Sequence, residues 1–293
     1  MKSSARLYGL LVLTMAIWAG TFVVGRVLAQ QLPTLSLAFW RFAIAALCLF
    51  ILLARTPGGL TLPPPRAWPW LLGLALSGVY AYNLLFFAGL AEIPASRAAL
   101  LVALNPALTA LASALLLRHP IGAVRWAGLA LSLIGVLTVV SHGDWGQIAA
   151  GGVGRGEILI FGCCLSWVSY TLLSRGAMAY LSGLAAIAWA ALTGAVLLGL
   201  TAAWRTELVW PVGLAQWGGL GYFGALATAA GFVWYGEGIR VLGPARTIVF
   251  SNLVPVFAVL MGVLWLGESL YWSGALGGLL VVAGVALTNL PRR

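Results

Sequence analysis

The stretch RAALLVALNPALTALASALLL, Arg97–Leu117, decides how this chain folds. As a helix its 21 residues rise about 1.5 Å each, enough to cross a hydrocarbon core of roughly 30 Å. Polar Asn105 and the adjacent Pro106, near the expected midplane, do not suit an ordinary lipid anchor. Proline has no N–H to give, so the carbonyl four residues back, that of Val102, loses its helical donor. Within lipid such a carbonyl needs another partner, and this face is expected to look into protein or into a wet cavity.

The same pattern returns 149 residues later. Arg246–Leu266, RTIVFSNLVPVFAVLMGVLWL, repeats Arg97, Leu104 and Pro106 as Arg246, Leu253 and Pro255. Pro255 withdraws the helical donor from the Ser251 carbonyl, beside Asn252. The register holds nearly end to end: Trp18 with Trp167, Arg26 with Arg175, Trp40 with Trp189, Trp68 with Trp217, Gly89 with Gly238, Gly128 with Gly277 and Gly135 with Gly284. Interrupted apolar segments at matching places in two halves point to a transporter's binding site.

Composition points the same way. Of the 293 residues 62% are hydrophobic and 8% charged, against about 45–50% and 25% in soluble domains, which marks a polytopic membrane protein. Apolar runs place spans near 7–28, 36–54, 69–90, 97–117, 126–141, 156–175, 184–204, 216–239, 246–266 and 271–289. The first follows Lys2 and Arg6 and has no small-residue cleavage site, so it reads as a retained helix. Five spans per half is an odd number, so the second copy starts from the opposite side and the repeat is inverted. The expected architecture is all-α, with ten transmembrane helices in two inverted five-helix repeats. The repeats cover 1–141 and 156–293, joined by an outer loop over 142–155.

The net charge is +10. With both termini inside, 11 of the 16 basic residues fall on the cytoplasmic face, leaving Arg26, Arg41, Arg97, Arg155 and Arg205 outside, as the positive-inside rule asks. Scattered singly, they form no stripe, and nucleic acid is not expected as a partner. Cys48, Cys163 and Cys164 lie in apolar spans and read as small buried hydrophobes, not as disulfide partners or metal ligands. His119 and His142 fall in loops. Neither a metal nor a cofactor is expected. An intramembrane protease needs a serine with a histidine at membrane depth, or a cluster of metal ligands. Neither pattern is present, and the chain is read as not an enzyme. Gly128, Gly135, Gly274, Gly277, Gly278 and Gly284 crowd the fifth and tenth spans, where small residues let helices approach closely. Packing or dimerisation is their expected work, with a monomer or homodimer as the assembly.

Candidate binding residues come from the spans around the two breaks. They are Trp18, Tyr80, Tyr82, Asn83, Asn105, Trp167, Tyr170, Trp234, Ser251 and Asn252. Aromatic faces with a few hydrogen-bonding groups describe a pocket for a flat, mostly apolar ligand with a polar end. The bland alternative is packing for each aromatic and a helix-to-helix hydrogen bond for each amide. Arg41 either snorkels to the headgroups or pairs with Glu92 at an outer gate. Glu237 and Arg240, three apart, form a local pair at the inner end. No carboxylate falls at midplane, which favours facilitated export over coupling through a buried acid.

Several short motifs carry a family likeness. They are Ile17-Trp18-Ala19-Gly20-Thr21-Phe22, Trp40-Arg41-Phe42, Leu104-Asn105-Pro106, Leu253-Val254-Pro255 and Leu266-Gly267-Glu268-Ser269-Leu270, followed by the glycine-rich Gly274–Gly284. On these, over essentially its full length, the chain resembles the EamA-type exporters of the drug/metabolite transporter superfamily, and within it the exporters of aromatic amino acids. One departure is Arg118-His119, where the family often has a pair like Gly267-Glu268. The resemblance implies a ten-helix basket in the cell inner membrane that exports amino acids or metabolites by alternating access. The expected function is export of neutral, mainly aromatic, amino acids and related metabolites, with the substrate and the lipid bilayer as partners. The alternative is a polyspecific drug/metabolite or nucleotide-sugar carrier. The latter would want buried Lys or Arg for its phosphates, and none is read at midplane.

Overall fold

The computed structural model describes residues 2–56, 58–116, 122–144, 153–242, 247–269 and 271–288, as helices joined by turns and short extended links. Leu117, Arg118, His119, Arg246, Leu270, Arg292, Arg293 and residues 145–152 of the connecting loop lie outside the described residues.

In the first half of the chain the helices are α1 (Lys2–Ala29), α2 (Thr34–Ala54), α3 (Pro65–Glu92), α4 (Ala95–Val102), α5 (Asn105–Leu116) and α6 (Ala123–Val140). The second half has α7 (Arg155–Met178), α8 (Gly183–Trp204), α9 (213–242), α10 (Leu253–Leu266) and α11 (Trp272–Thr288). Among the described residues six helical stretches are long and apolar enough to cross a bilayer: Arg6–Ala29, α2, α3, Ala95–Ser113 across α4 and α5, α7 and α8. Trp126–Val140, Phe250–Leu266 and α11 are apolar but shorter. Their outward faces are as greasy as their cores. Leu47, Leu200, Leu264 and Leu279 are each more than 60% exposed, a placement that lipid favours and water does not.

Both prolines break their helices, as the missing N–H requires. The chain turns at residues 103–104 between α4 and α5, and Pro106 takes the second place of α5, where a lost donor costs nothing. In the second half a 3₁₀ turn, Ile248–Asn252, precedes α10 and puts Pro255 in its first turn. A second irregularity has no proline behind it. Ala75–Ala81 in α3 and Tyr222–Ala230 in α9 are π-helical, and the first, moved by 149 residues, falls inside the second. Side chains satisfy the loosened carbonyls. Asn83 Nδ2 donates to Val79 O at 2.7 Å and Gly78 O at 3.3 Å, while Thr228 Oγ1 donates to Phe223 O at 2.9 Å.

The glycines of α6 and α11 pack those two helices on each other. A Cβ on Gly128 would lie 2.6 Å from the Gly284 carbonyl oxygen, and one on Gly135 would lie 2.6 Å from that of Gly277. As numbers rise along α6 they fall along α11, so the two run antiparallel. Between these contacts Ser132 Oγ donates to Val281 O at 3.5 Å, joining residues 149 apart. Only helices bare of side chains on the facing side can come this close.

Candidate functional site: a cavity between the two halves

The two broken helices face one cavity of about 460 Å³, within the range of small-molecule sites. α1 contributes Trp18, Thr21 and Phe22; α2 contributes Arg41; and α3 contributes Tyr82. Val102, Ala103, Asn105 and Pro106 line it at the first break, and Ser251, Asn252, Val254 and Pro255 at the second. α5 adds Thr109 and Ser113, α7 adds Trp167 and Thr171, and α9 adds Ala227, Phe232 and Tyr235.

Two groups of aromatic rings contribute to the wall. Trp18 stands 5.2 Å from Tyr235 and 6.0 Å from Phe232, ring centre to ring centre. Its indole N–H donates to the Ala227 carbonyl at 2.9 Å, so the π turn of α9 fixes the plane of the ring. Tyr222 reaches back from the same turn to donate to Ile17 O at 2.5 Å. In the other group Tyr82 lies 5.5 Å from Trp167 and stacks on Phe86 at 5.7 Å, and Trp167 stacks on Tyr170 at 5.2 Å. Rings held this way present flat apolar faces at fixed angles.

Six of the ten expected binding residues meet here, Trp18, Tyr82, Asn105, Trp167, Ser251 and Asn252, and Arg41 joins them from the expected gate. Four do not. Tyr80 is two residues from Tyr82, which puts it on the far side of the helix; its hydroxyl donates to Thr201 Oγ1 at 3.3 Å instead. Tyr170 stands behind Trp167, against Gly78. Trp234 is off the wall that its neighbour Tyr235 joins. Asn83 is wholly buried and accepts from Arg41 Nη1 at 2.8 Å.

That last bond corrects the expected outer pair. Arg41 turns to Asn83, and Glu92 pairs with Arg155 at 3.4 Å, so Arg41 and Glu92 do not meet. Arg41 does not snorkel either; its guanidinium sits among Phe223, Phe42 and Phe87, at 4.7, 5.2 and 5.9 Å from their ring centres. Glu237 and Arg240 form the local pair expected of them, at 2.6 and 2.8 Å, exposed on the end of α9.

The halves are clasped where α1 ends, hereafter the distal face. Gly267 ends α10 in the left-handed conformation, φ 64°, which a residue without a Cβ adopts without strain. This aims the next side chain at the start of α4. Glu268 accepts from Ala95 N at 2.6 Å and Ser96 N at 3.0 Å, capping that helix across the divide between halves. Arg26 stands 4.0 Å from Glu268 and donates to the carbonyls of Leu90 and Ile93. Arg97 pairs with Glu157 at 2.8 Å and bonds Val140 O and His142 Nε2, each at 2.6 Å. Glu268 was visible in the sequence only as a family motif; its role as a helix cap depends on a contact spanning more than 170 residues.

An all-helical, lipid-facing chain with a ring-lined chamber between its halves has the form of a membrane carrier. The EamA-like transporter family matches residues 6–141 and 154–290, and the chain belongs to that family, within the drug/metabolite transporter superfamily. It is 27% identical to "Uncharacterized transporter YyaM" of Bacillus subtilis (strain 168), covering 94% of this chain and 91% of the relative. It is 28% identical to the "Probable terminal-alkyne amino-acid exporter" of Streptantibioticus cattleyicolor, over 99% and 95%. It is 30% identical to the "S-adenosylmethionine/S-adenosylhomocysteine transporter" of Chlamydia trachomatis serovar L2, over 89% and 82%. A solved crystal structure shares its fold at a TM-score of 0.64, with 22% identity and 97% of each chain covered.

Proposed function

We propose that this chain exports neutral, mainly aromatic, amino acids and related metabolites by alternating access across the cell inner membrane. On this reading ten crossings form two inverted five-helix repeats, 1–141 and 156–293, joined by the outer loop, with both termini cytoplasmic and the distal face outside. The antiparallel glycine crossing supports the inversion, because residues 149 apart meet at its centre. The observation that carries the substrate class is the cavity wall. Trp18, Tyr82, Trp167 and Tyr235 offer ring faces, while Asn105, Ser251 and Asn252 offer polar groups at the two breaks. A flat side chain lies between the rings, and the amino-acid end lies at the breaks. The relative named as an amino-acid exporter supports the class.

The test is counterflow in proteoliposomes with labelled tryptophan and phenylalanine, with and without a pH gradient. Tryptophan exchange is expected, and Tyr82→Ala or Trp167→Ala lowers it at least about tenfold, the scale of losing one aromatic contact. Unchanged exchange in both variants would remove these residues from the site. A second reading has its own support in the relatives that carry S-adenosylmethionine: a polyspecific carrier for larger amino-acid derivatives. Exchange of S-adenosylmethionine in preference to tryptophan would favour it.

A further inference from the structure

Among the described residues one charged side chain stands on the cavity wall, that of Arg41. Its surroundings hold it firmly but leave its charge uncompensated. Asn83 is fixed by its two bonds to the π turn and so presents Oδ1 to Arg41 Nη1 at 2.8 Å. Phe42, Phe87 and Phe223 surround the guanidinium. Nε is buried with no hydrogen-bond partner, and no carboxylate pairs with the group among the described residues. A buried cation ordinarily has an anion beside it. The same cavity holds the opposite want: Asn105 Oδ1 is buried and has no donor.

We infer that the ligand supplies both missing partners: a carboxylate on the free edge of the Arg41 fork and an ammonium on Asn105 Oδ1. A guanidinium with one edge taken by Asn83 suits a planar carboxylate, which accepts two parallel N–H bonds. A single cation favours one compact anionic group over the several charges of a polyphosphate. The inference deepens the amino-acid reading and rests on it. It makes Arg41 the residue that separates amino acids from the corresponding amides and amines.

The experiment measures binding to purified full-length protein in lipid nanodiscs, with four probes of one side chain. L-Phenylalanine has both groups, L-phenylalaninamide only the ammonium, 3-phenylpropanoate only the carboxylate, and 2-phenylethylamine lacks the carboxylate altogether. Wild type is expected to bind phenylalanine at least about 30-fold more tightly than phenylalaninamide, the scale of losing one desolvated charge pair. Arg41→Met is expected to abolish that preference. Asn105→Leu is expected to weaken phenylalanine while leaving 3-phenylpropanoate unchanged. The comparison of probes on wild type stands even if Arg41→Met fails to fold. Equal affinity for phenylalanine and its amide would overturn the Arg41 subsite and leave the amino-acid reading standing. Binding of 3-phenylpropanoate without any binding of phenylalanine would overturn the amino-acid reading and keep the carboxylate site. Binding of neither would overturn both.

Discussion

Replacing Glu268 by glutamine tests whether one side chain holds the distal face shut. In the structure both carboxylate oxygens are engaged, with Ala95 N at 2.6 Å and Ser96 N at 3.0 Å, and the side chain is only 9% exposed. Glutamine keeps one acceptor and turns an NH₂ toward the second donor, so one bond is lost and the other loses its charge. Hydrogen bonds to a charged group contribute about 1.5–3 kcal/mol and neutral ones about 0.5–1.5 kcal/mol, giving a net loss of about 2–4 kcal/mol. If these bonds exist only in the closed state, the open population rises by at least about 30-fold, the factor for 2 kcal/mol. The assay is labelling of Ala99→Cys, on the cavity wall, in a chain lacking Cys48, Cys163 and Cys164. A membrane-impermeant maleimide is applied from the distal side. A second chain keeping only Cys163, which is wholly buried and off the cavity wall behind Tyr82, separates opening from unfolding and should stay unlabelled. A labelling rate for Glu268→Gln within about twofold of the parent, far below the population shift expected from the lost bonds, would refute the clasp.

Two more expectations concern stability. Gly135→Ala puts a Cβ 2.6 Å from the Gly277 oxygen and should cost about 1–3 kcal/mol, whereas Gly9→Ala, with nothing within 4 Å, should gain up to about 1 kcal/mol of helix propensity; melting in detergent should move in opposite directions for the two. His142 carries a pH dependence. Because Arg97 can only donate, the 2.6 Å contact requires a bare His142 Nε2. Burial first and then Arg97 lower the pKa of His142 below its usual value, against an opposing pull from Glu157. The unfolded chain therefore takes up the proton first, and stability falls as pH drops below about 6.5. The melting temperature should decrease between about pH 7.5 and 5.5, and His142→Gln should flatten that slope.

Much of the site was legible because proline leaves a mark that needs no tertiary structure. Pro106 and Pro255 fixed the two breaks, and the polar residues beside them, Asn105, Ser251 and Asn252, came to the cavity with them. Trp18 and Trp167 share the register and both line the wall. The π turns left no such mark, since Ala, Gly and aromatic residues fit a wide turn and an α-helix alike. They also misplaced Asn83, whose amide serves the loosened carbonyls rather than a ligand. Arg41 was read by its distance along α2, which suggests a headgroup. The three phenylalanines that hold it, two of them on other helices, are invisible to that reading. Tyr80 and Tyr170 show the general limit: a tyrosine at the right depth still has to point the right way.

The glycine crossing of α6 and α11 also restricts how this molecule can change shape. Two rods touching backbone to backbone at Gly128–Gly284 and Gly135–Gly277 cannot slide lengthwise. One step of about 1.5 Å per residue begins to carry the bulkier neighbours of these glycines into the gap. Swivelling about the point where Ser132 meets Val281 keeps every glycine opposite its partner. Such a pivot would let one end of the chamber widen while the other narrows, much as a pair of scissors does.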